Sequence, residues 1–401
     1  MEVQTMNHEF DRRMFLKTML AAGAGSLVGC AKAEEVATPA LVPVRPFGKT
    51  GVDVSILGLG GMFDINTNQI ILKQALKYGV TYWDTADCYN GGKSETGIGM
   101  YFEKNPETRK QVFLVSKSDD RDPEGMTKLL TRSLERMKTD YIDLYFIHGV
   151  KNISEMTDDM KAWVARAKKE KKIRFFGFSA HSNMEALLPA ASGMPWIDGI
   201  MMTYNYRLMH SDKMRSAVEA CVKAGIGLTA MKTQGGGQVK ADSETELKLA
   251  GRFLEQGFTD KQARLKAVWE EPGIACICSQ MPNITILMSN IAAALDKTTL
   301  SADSRALLRQ YARETCSGYC AGCASLCESA VNSPVPIADV MRHLMYSRDY
   351  GDHSLAASLF ERVPEGTRET LASLDFSRAE SVCPNHLPIG RLMREAAVEL
   401  A

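Results

Sequence analysis

The chain has 401 residues, of which 45% are hydrophobic and 24% are charged, and its 48 basic and 48 acidic side chains leave no formal net charge. This length and composition are typical of a globular protein that buries one large core or two smaller ones. The balanced charge gives no electrostatic reason to expect nucleic acid as a partner.

The amino-terminal segment 1–30 has the features of an export signal. Arg12 and Arg13 precede Phe15-Leu16-Lys17 and a short run of small apolar residues that stops at Cys30. A basic start before a short apolar run is typical of secretory signals. The arginine pair resembles the twin-arginine type, which is read by a translocase that moves folded proteins. Leu27-Val28-Gly29-Cys30 resembles a lipobox, so we expect a periplasmic or cell-envelope protein that contacts the membrane only through a lipid on Cys30.

Residues 31–46 lack hydrophobic periodicity, and we interpret them as a linker. Beyond them, short apolar segments rich in β-branched and aromatic residues alternate with amphipathic segments. Eight segments are predicted strands: 54–60, 81–86, 112–117, 142–149, 173–179, 199–205, 225–232 and 274–280. Eight strand–helix units over residues 47–300 predict an α/β fold of the (β/α)8 barrel (TIM barrel) type, with a doubly wound sheet as the alternative.

Four polar side chains stand at the carboxyl ends of three neighbouring predicted strands, where the chemistry of such barrels takes place. Asp84 ends the second strand, with Tyr89 five residues on, Lys117 ends the third and His148 ends the fourth. A free tyrosine has a pKa of about 10, and a lysine that a carboxylate holds charged is expected to lower it. We therefore predict that these four residues form a proton-transfer set.

These residues and the segments around them resemble the aldo-keto reductase superfamily. The resemblance runs from about Phe47 to Ala294, through FGKTGVDVSILGLGGM, DTADCY, VSKS, DLYFIHG, FFGFS, YNYR and AMKTQGGG in that order. It implies an oxidoreductase that interconverts a small carbonyl and an alcohol, a sugar being one candidate. Tyr89 would protonate the carbonyl oxygen as hydride arrives, Lys117 and Asp84 would tune it, and His148 would position that oxygen.

The same resemblance implies NADPH or NADH as the cofactor, with Ser179 facing the nicotinamide carboxamide and Met231 packing under its ring. The residues that would bind the nucleotide are Gly60, Gly61, Ser179, Met231, Lys232, Ser279, Gln280 and Asn290. Relatives carry an arginine or lysine after the eighth strand that binds the adenosine phosphate. The corresponding segment here, SQMPNITILMSN, has no cation, which favours NADH over NADPH and leaves weak nucleotide binding as an alternative.

Residues 301–401 are predicted to be a small, mainly helical domain that holds a metal. Their run Cys316-x3-Cys320-x2-Cys323-x3-Cys327 and a later Cys383-Pro384 resemble a bacterial ferredoxin, as in the iron–sulfur branch of the aldo-keto reductases. The resemblance implies one [4Fe–4S] cluster on Cys316, Cys320, Cys323 and Cys383, with Cys327 unused. Because one residue is inserted after Cys316, the alternative ligands are Cys320, Cys323, Cys327 and Cys383. Disulfides and a structural zinc are the other interpretations.

Two functions are compatible with these features. The first is an exported, NAD(P)-linked oxidoreductase that passes electrons through its cluster to a redox partner. The second is a lipid-tethered electron-transfer or binding module whose barrel keeps only remnants of the catalytic set. Both would acquire cofactors in the cytoplasm, which requires a pathway for folded proteins.

Overall fold

The computed structural model describes residues 39–239 and 243–401 of the chain. Arg12, Arg13 and Cys30 of the predicted export signal lie outside these residues. The chain first forms an antiparallel pair of β1 (Val44–Pro46) and β2 (Asp53–Ser55). The predicted linker 31–46 therefore ends in a strand, which is anchored because Val42 and Phe47 are buried on either side of it.

Eight parallel strands form a closed barrel. They are β3 (Leu57–Gly60), β4 (Tyr82–Asp84), β5 (Phe113–Ser118), β6 (Ile142–Ile147), β7 (Ile173–Ala180), β8 (Gly199–Thr203), β9 (Gly227–Met231) and β10 (Ile274–Gln280). Each strand pairs with the next in chain order, and β10 also pairs with β3. The prediction of a (β/α)8 barrel is confirmed, and the closing β10–β3 pair excludes a doubly wound sheet. Only the first predicted strand, 54–60, is divided, between β2 and β3.

An aromatic residue fills the amino-terminal end of the barrel. The ring of Phe47 packs against Tyr82 and Phe113, with centroid distances of 6.3 and 5.6 Å. Gly199 and Gly227, the first residues of β8 and β9, make room for it, because a Cβ atom on either glycine would lie within 2.8 Å of the Phe47 ring. With one end of the barrel packed in this way, only the carboxyl-terminal end is left to hold a site.

Helices surround the barrel and bury its outer face. They are α1 (Ile70–Lys77), α2 (Lys93–Lys104), α3 (Pro123–Met137), α4 (Asp158–Lys169), α5 (Met184–Ser192), α6 (Asp212–Lys223), α7 (Ser243–Glu255), α8 (Asp260–Trp269) and α9 (Ile284–Leu295). Short 3-10 helices span Tyr89–Gly92, Pro106–Gln111, Ile153–Glu155 and Cys316–Gly318. Local sequence sets their ends: in α3, Asp122 accepts hydrogen bonds from the amides of Glu124 and Gly125 ahead of the first turn, as an N-cap aspartate does.

The C-terminal segment is mainly helical, as predicted. Its helices are α10 (Ala302–Glu314), α11 (Ala324–Cys327), α12 (Ile337–Arg348), α13 (His353–Phe360), α14 (Glu365–Thr370), α15 (Ser377–Ser381) and α16 (Ile389–Glu399). Leu308 and Tyr311 of α10 pack with Phe253 and Ala263 of the barrel helices, whereas the later helices share a core of their own. These contacts assign α10 to the barrel, and the separate core begins after this helix.

This later core, together with Tyr319, sits on the carboxyl-terminal mouth of the barrel. Lys151, after β6, forms an ion pair with Asp339 of α12. Asn205, after β8, donates a hydrogen bond of 2.9 Å to the Tyr319 hydroxyl, and Arg348 of α12 donates to the Gln238 carbonyl. Residues 40–401 accordingly form one compact unit. Within the part of the chain that the structure describes, no helix has the length and apolar character to cross a membrane.

Candidate active site

A buried ion pair lies at the barrel mouth. Lys117, on β5, donates hydrogen bonds of 2.6 Å to Asp84 Oδ1 and 2.7 Å to the Thr85 carbonyl. The side chains of Lys117 and Asp84 are only 1% and 3% exposed. Burial raises the pKa of Asp84, and the adjacent Lys117 ammonium opposes that rise. Because a buried charge is tolerated only with a partner, the pair fixes the position of the lysine.

Tyr89 lies next to this pair, at the start of the 3-10 helix Tyr89–Gly92 that follows β4. The Lys117 ammonium is 4.7 Å from the centroid of the Tyr89 ring, so it faces the ring. Burial raises the pKa of Tyr89 well above its usual value, and the neighbouring Asp84 and Cys88 raise it further. The predicted net lowering of this pKa is therefore wrong for this geometry, because burial and the neighbouring acidic groups outweigh the Lys117 cation. Tyr89 remains a protonated phenol that can donate its proton.

His148 completes the set on the other side of Tyr89. It follows β6, and its ring meets the Tyr89 ring edge-on at a centroid distance of 5.7 Å. Nδ1 of His148 lies 2.8 Å from Asp119 Oδ1. Burial lowers the pKa of His148, whereas Asp119 opposes that change. An ionised carboxylate can only accept a hydrogen bond, so Nδ1 carries the proton and Nε2 of the neutral ring is a hydrogen-bond acceptor.

Asp119 is ionised in this arrangement. Burial by itself would raise its pKa, but the hydrogen bond and the charge interaction with His148 lower the pKa of Asp119 to about 2. Cys88 Sγ is 3.7 Å from the same His148 nitrogen. The donor atoms of Cys88, Asp119 and His148 lie within 4.8 Å of one another, which is close enough for a metal ion. In this structure, however, Nδ1 is engaged by Asp119.

The C-terminal segment contributes side chains to the same mouth. Tyr346 of α12 is buried, and the ammonium of Lys232, the residue after β9, lies 4.4 Å from the centroid of its ring. Burial would raise the pKa of Tyr346, but the charges of Lys232 and Arg342 lower it overall. The barrel and the C-terminal segment thus build the mouth together.

The residues predicted to bind the nicotinamide end of a nucleotide lie at this mouth. Ser179, on β7, accepts a hydrogen bond of 3.0 Å from the Gly149 amide, which leaves its hydroxyl hydrogen free to donate. Met231 ends β9 and is 9% exposed. Gly60 and Gly61 end β3 and follow it, and a Cβ atom on Gly61 would lie only 2.7 Å from the Asp84 carbonyl oxygen. Gly61 is therefore required by the packing of β4.

The side chains predicted to bind the adenosine end of a nucleotide already form hydrogen bonds with other residues of the protein. Asn290 donates a hydrogen bond of 3.0 Å to the Ser279 hydroxyl, and Gln280 donates one of 2.8 Å to the Met62 carbonyl. Ile284 and Ile286, at the start of α9, are more than a third exposed. This end offers amide and hydroxyl groups without the cation that a 2′-phosphate would need.

Four of the five cysteines of the C-terminal segment line one small cavity: Cys320, Cys323, Cys327 and Cys383. Cys316 begins the 3-10 helix Cys316–Gly318 and does not line that cavity. The Leu387 amide donates to Cys383 Sγ at 3.5 Å, and most of the remaining lining is apolar. All nine cysteines of the described residues are free thiols. The structure thus brings together the four cysteines of the alternative ligand set, which includes Cys327 and omits Cys316.

Sequence reasoning missed Asp119, Arg342 and Tyr346. Asp119 stands two residues after Lys117, at the end of the same strand. The rule that functional residues lie at the carboxyl ends of barrel strands, which selected Lys117, therefore also applies to Asp119. Arg342 and Tyr346 are far from His148 along the chain. No local pattern marks them, because only the docking of α12 brings them to the mouth.

Comparison with known proteins identifies the barrel. A family model described as "Aldo/keto reductase family" matches residues 57–314. Glyoxal reductase of Bacillus subtilis (strain 168) is 32% identical over 157 residues, which cover 37% of this chain and 55% of that protein. An aldo-keto reductase of Schizosaccharomyces pombe named yakc, whose name includes NADP(+), is 31% identical over 159 residues, which cover 34% of this chain and 45% of that protein. The chain spans about half the length of the curated relatives it matches first.

A solved structure agrees in fold. Aldo-keto reductase AKR11C1 from Bacillus halodurans, in its holo form, superposes with a TM-score of 0.58 at 22% identity, covering 67% of this chain and 96% of that one. The family match ends at residue 314, before the first cysteine of the C-terminal segment. It spans more than half of the chain and includes Asp84, Tyr89, Lys117 and His148. With its closed barrel and these four side chains at one mouth, the chain belongs to the aldo/keto reductase family.

Proposed function

We propose that the protein is an oxidoreductase that interconverts a small carbonyl compound and the corresponding alcohol with NADH or NADPH. The observation that carries this proposal is the arrangement of Lys117, which bonds to Asp84 and faces the ring of Tyr89. The Tyr89 phenol is protonated, the Lys117 cation lies beside its ring, and the His148 ring meets it edge-on. A proton donor and a nearby fixed cation are what a carbonyl oxygen needs when it gains a proton.

Each residue has a distinct task in this reaction. Tyr89 donates its proton to the carbonyl oxygen, and the Lys117 cation favours the phenolate that remains. Asp84 holds Lys117 in place. His148 accepts a hydrogen bond at Nε2, so it binds the hydroxyl of the alcohol and thereby orients the oxygen. When bound, the nucleotide supplies or accepts the hydride.

The mouth fits the nicotinamide end of a nucleotide. Ser179 has a free hydroxyl hydrogen, and Met231 offers an apolar surface at the end of β9. At the adenosine end, Ser279, Gln280 and Asn290 suit a ribose, while the lack of a lysine or arginine between Ser279 and Asn290 favours NADH. The fission yeast relative has NADP(+) in its name, so both nucleotides are to be compared.

We also propose that the C-terminal segment holds one [4Fe–4S] cluster on Cys320, Cys323, Cys327 and Cys383. The support is that these four thiols line one small cavity. A structural zinc on the same four thiols is the alternative, and the iron and zinc content of the purified protein distinguishes the two. When bound, the cluster would exchange single electrons with an external redox partner.

The location that we propose follows from the amino-terminal signal. The signal with Arg12 and Arg13 directs the folded protein through the twin-arginine translocase, and Cys30 receives a lipid in the cell envelope. A protein that acquires a nucleotide and a cluster in the cytoplasm needs an export route of this kind.

Replacement of Tyr89 by phenylalanine tests the enzymatic function. Oxidation of NADH and of NADPH is followed with glyoxal and a panel of small aldehydes and sugars, on protein purified without oxygen. We expect Tyr89→Phe to lower kcat by roughly 10²- to 10⁴-fold while nucleotide affinity stays within about twofold, because the phenol acts on the transition state. Tyr78→Phe, a half-buried tyrosine at the end of α1, is the matched control and keeps wild-type activity.

The same measurements on the wild-type protein can instead favour a second function. The hydrogen bonds that already occupy Ser279, Gln280 and Asn290 favour an electron-transfer or binding module with a residual barrel. Wild-type protein that binds neither nucleotide, yet carries a redox-active cluster, would establish this second function in place of the first.

A further inference from the structure

A second cavity lies between the barrel mouth and the C-terminal segment. The barrel contributes His181, Thr203 and Lys232, which follow or end β7, β8 and β9 at their carboxyl ends. The C-terminal segment contributes Arg342 of α12, among others. The cavity is therefore part of the mouth that holds Tyr89 and His148. None of the residues that line it takes part in the proposed proton transfer.

The charged side chains that line this cavity are basic. Lys232 forms no ion pair with any residue that the structure describes, and its ammonium lies 4.4 and 5.4 Å from the ring centroids of Tyr346 and Tyr350. The face of an aromatic ring attracts a cation without cancelling its charge. Among the described residues, no aspartate or glutamate lines the cavity.

Arg342 is only partly neutralised. It donates a hydrogen bond of 2.9 Å to Asp339 Oδ1, but Asp339 is also paired with Lys151. Two cations thus share one carboxylate, and this group keeps one positive charge. Asp349, an acidic residue beside the cavity, lies against Gly236 and is not part of the lining.

His181 provides an unsatisfied polar group in the same place. Its Nδ1 is buried and has no hydrogen-bond partner. Burial lowers the pKa of His181 well below its usual value, and the charges of Arg342 and Lys232 lower it further, so the ring is neutral and has one N–H to donate. A buried polar atom without a partner is rare and calls for an explanation, and a ligand that accepts a hydrogen bond provides one.

We propose that this cavity binds an anionic group, a carboxylate or a phosphate, between Lys232 and Arg342 with His181 as a hydrogen-bond donor. The inference rests on the proposed function, because it assigns the anion to a molecule bound at the catalytic mouth. That molecule is either the carbonyl substrate or the nucleotide. In the first case the substrate is an aldehyde or ketone that also carries an acidic group, and the C-terminal segment selects it.

Direct binding of small anions tests the site without turnover. Oxalate and inorganic phosphate are titrated calorimetrically into the full chain purified without oxygen, at constant ionic strength. We expect Lys232→Gln and Arg342→Gln each to weaken binding about tenfold, as for the loss of one charge-assisted hydrogen bond. Arg342→Lys should retain most of the affinity because it keeps the charge. Arg378→Gln, an exposed arginine of the same segment, is the control and should bind as wild type does.

The result that would overturn the site is equal binding by wild type, Lys232→Gln and Arg342→Gln, or no binding by wild type. The circular dichroism spectrum and melting temperature of each variant show whether it has folded. Arg342→Lys keeps the test decisive if Arg342→Gln does not fold.

Two further arms identify the source of the anion. If saturating NADH displaces the bound anion, the site holds a phosphate of the nucleotide. If anion binding persists in the presence of NADH, the site belongs to the substrate, and a carboxylated aldehyde should then have a KM at least tenfold lower than a neutral aldehyde of similar size. A protein that binds the anion but reduces no carbonyl would contradict the proposed function and leave the anion site standing.

Discussion

The protonation states of the groups at the mouth depend on individual side chains and their burial. Tyr89 stays protonated because burial outweighs the lysine beside its ring, and His148 stays neutral with its Nδ1 proton directed at Asp119. The carboxylate of Asp119 thus leaves Nε2 as an acceptor. In the proposed reaction Asp119 is a positioning residue, since it would act on the substrate only through His148.

Removal of Asp119 tests this role. The charge and hydrogen bond of Asp119 raise the pKa of His148 against the effect of burial, so we expect Asp119→Ala to lower that pKa further. An activity that needs neutral His148 would then persist to lower pH than in wild type. The pKa and the protonated nitrogen are read from the imidazole signals in nitrogen-15 NMR, assigned with His148→Gln. An unchanged pKa in Asp119→Ala would show that Asp119 has no influence on the ring.

At the scale of elements, a short helix determines which cysteines converge. In α11 (Ala324–Cys327), Cys323 is the residue before the first turn and Cys327 ends the helix, four positions later. Residues four apart lie on the same side of a helix, so both thiols line the cavity. Cys316 belongs to a separate 3-10 helix and does not line this cavity.

The cysteine set can be tested by two matched substitutions. We expect Cys327→Ser to remove the brown colour and the bound iron, because a lost thiolate exposes an iron to water and oxygen. Cys316→Ser should leave both unchanged, because an unused thiol only packs. Iron content and visible absorbance of protein purified without oxygen give the answer. The reverse pattern would establish the ferredoxin register, with Cys316 as a ligand, and colourless protein without iron in wild type would exclude a cluster.

The strands and the four barrel residues were predictable because their signals are local. Alternation of apolar segments and helical periodicity place Asp84, Lys117 and His148 at strand ends without any knowledge of tertiary structure. Long-range packing carries no such signal. The choice of Cys327 over Cys316 depends on one inserted residue and the path of a turn, and the pKa of Tyr89 depends on burial that only the folded chain provides.

At the scale of the whole molecule, the C-terminal segment joins the two candidate sites. Cys320 lines both the cysteine cavity and the basic cavity at the mouth, so the two share a wall. We therefore expect folding of the barrel, docking of the C-terminal segment and binding of the proposed metal to be coupled. A protein exported with both proposed cofactors in place would have to fold completely before it crosses a membrane, and this requirement links the fold to the proposed amino-terminal signal.

Substitution of the arginine pair tests that link. We expect the double variant Arg12→Lys, Arg13→Lys to accumulate uncleaved in the cytoplasm, because the translocase for folded proteins reads the arginine pair. Cys30→Ala should still be exported but should carry no lipid, so it separates recognition of the signal from anchoring. Cell fractionation and incorporation of labelled fatty acid measure the two steps. If the double lysine variant reached the cell envelope as wild type does, the twin-arginine route would be wrong, and the cofactors would have to be inserted after export.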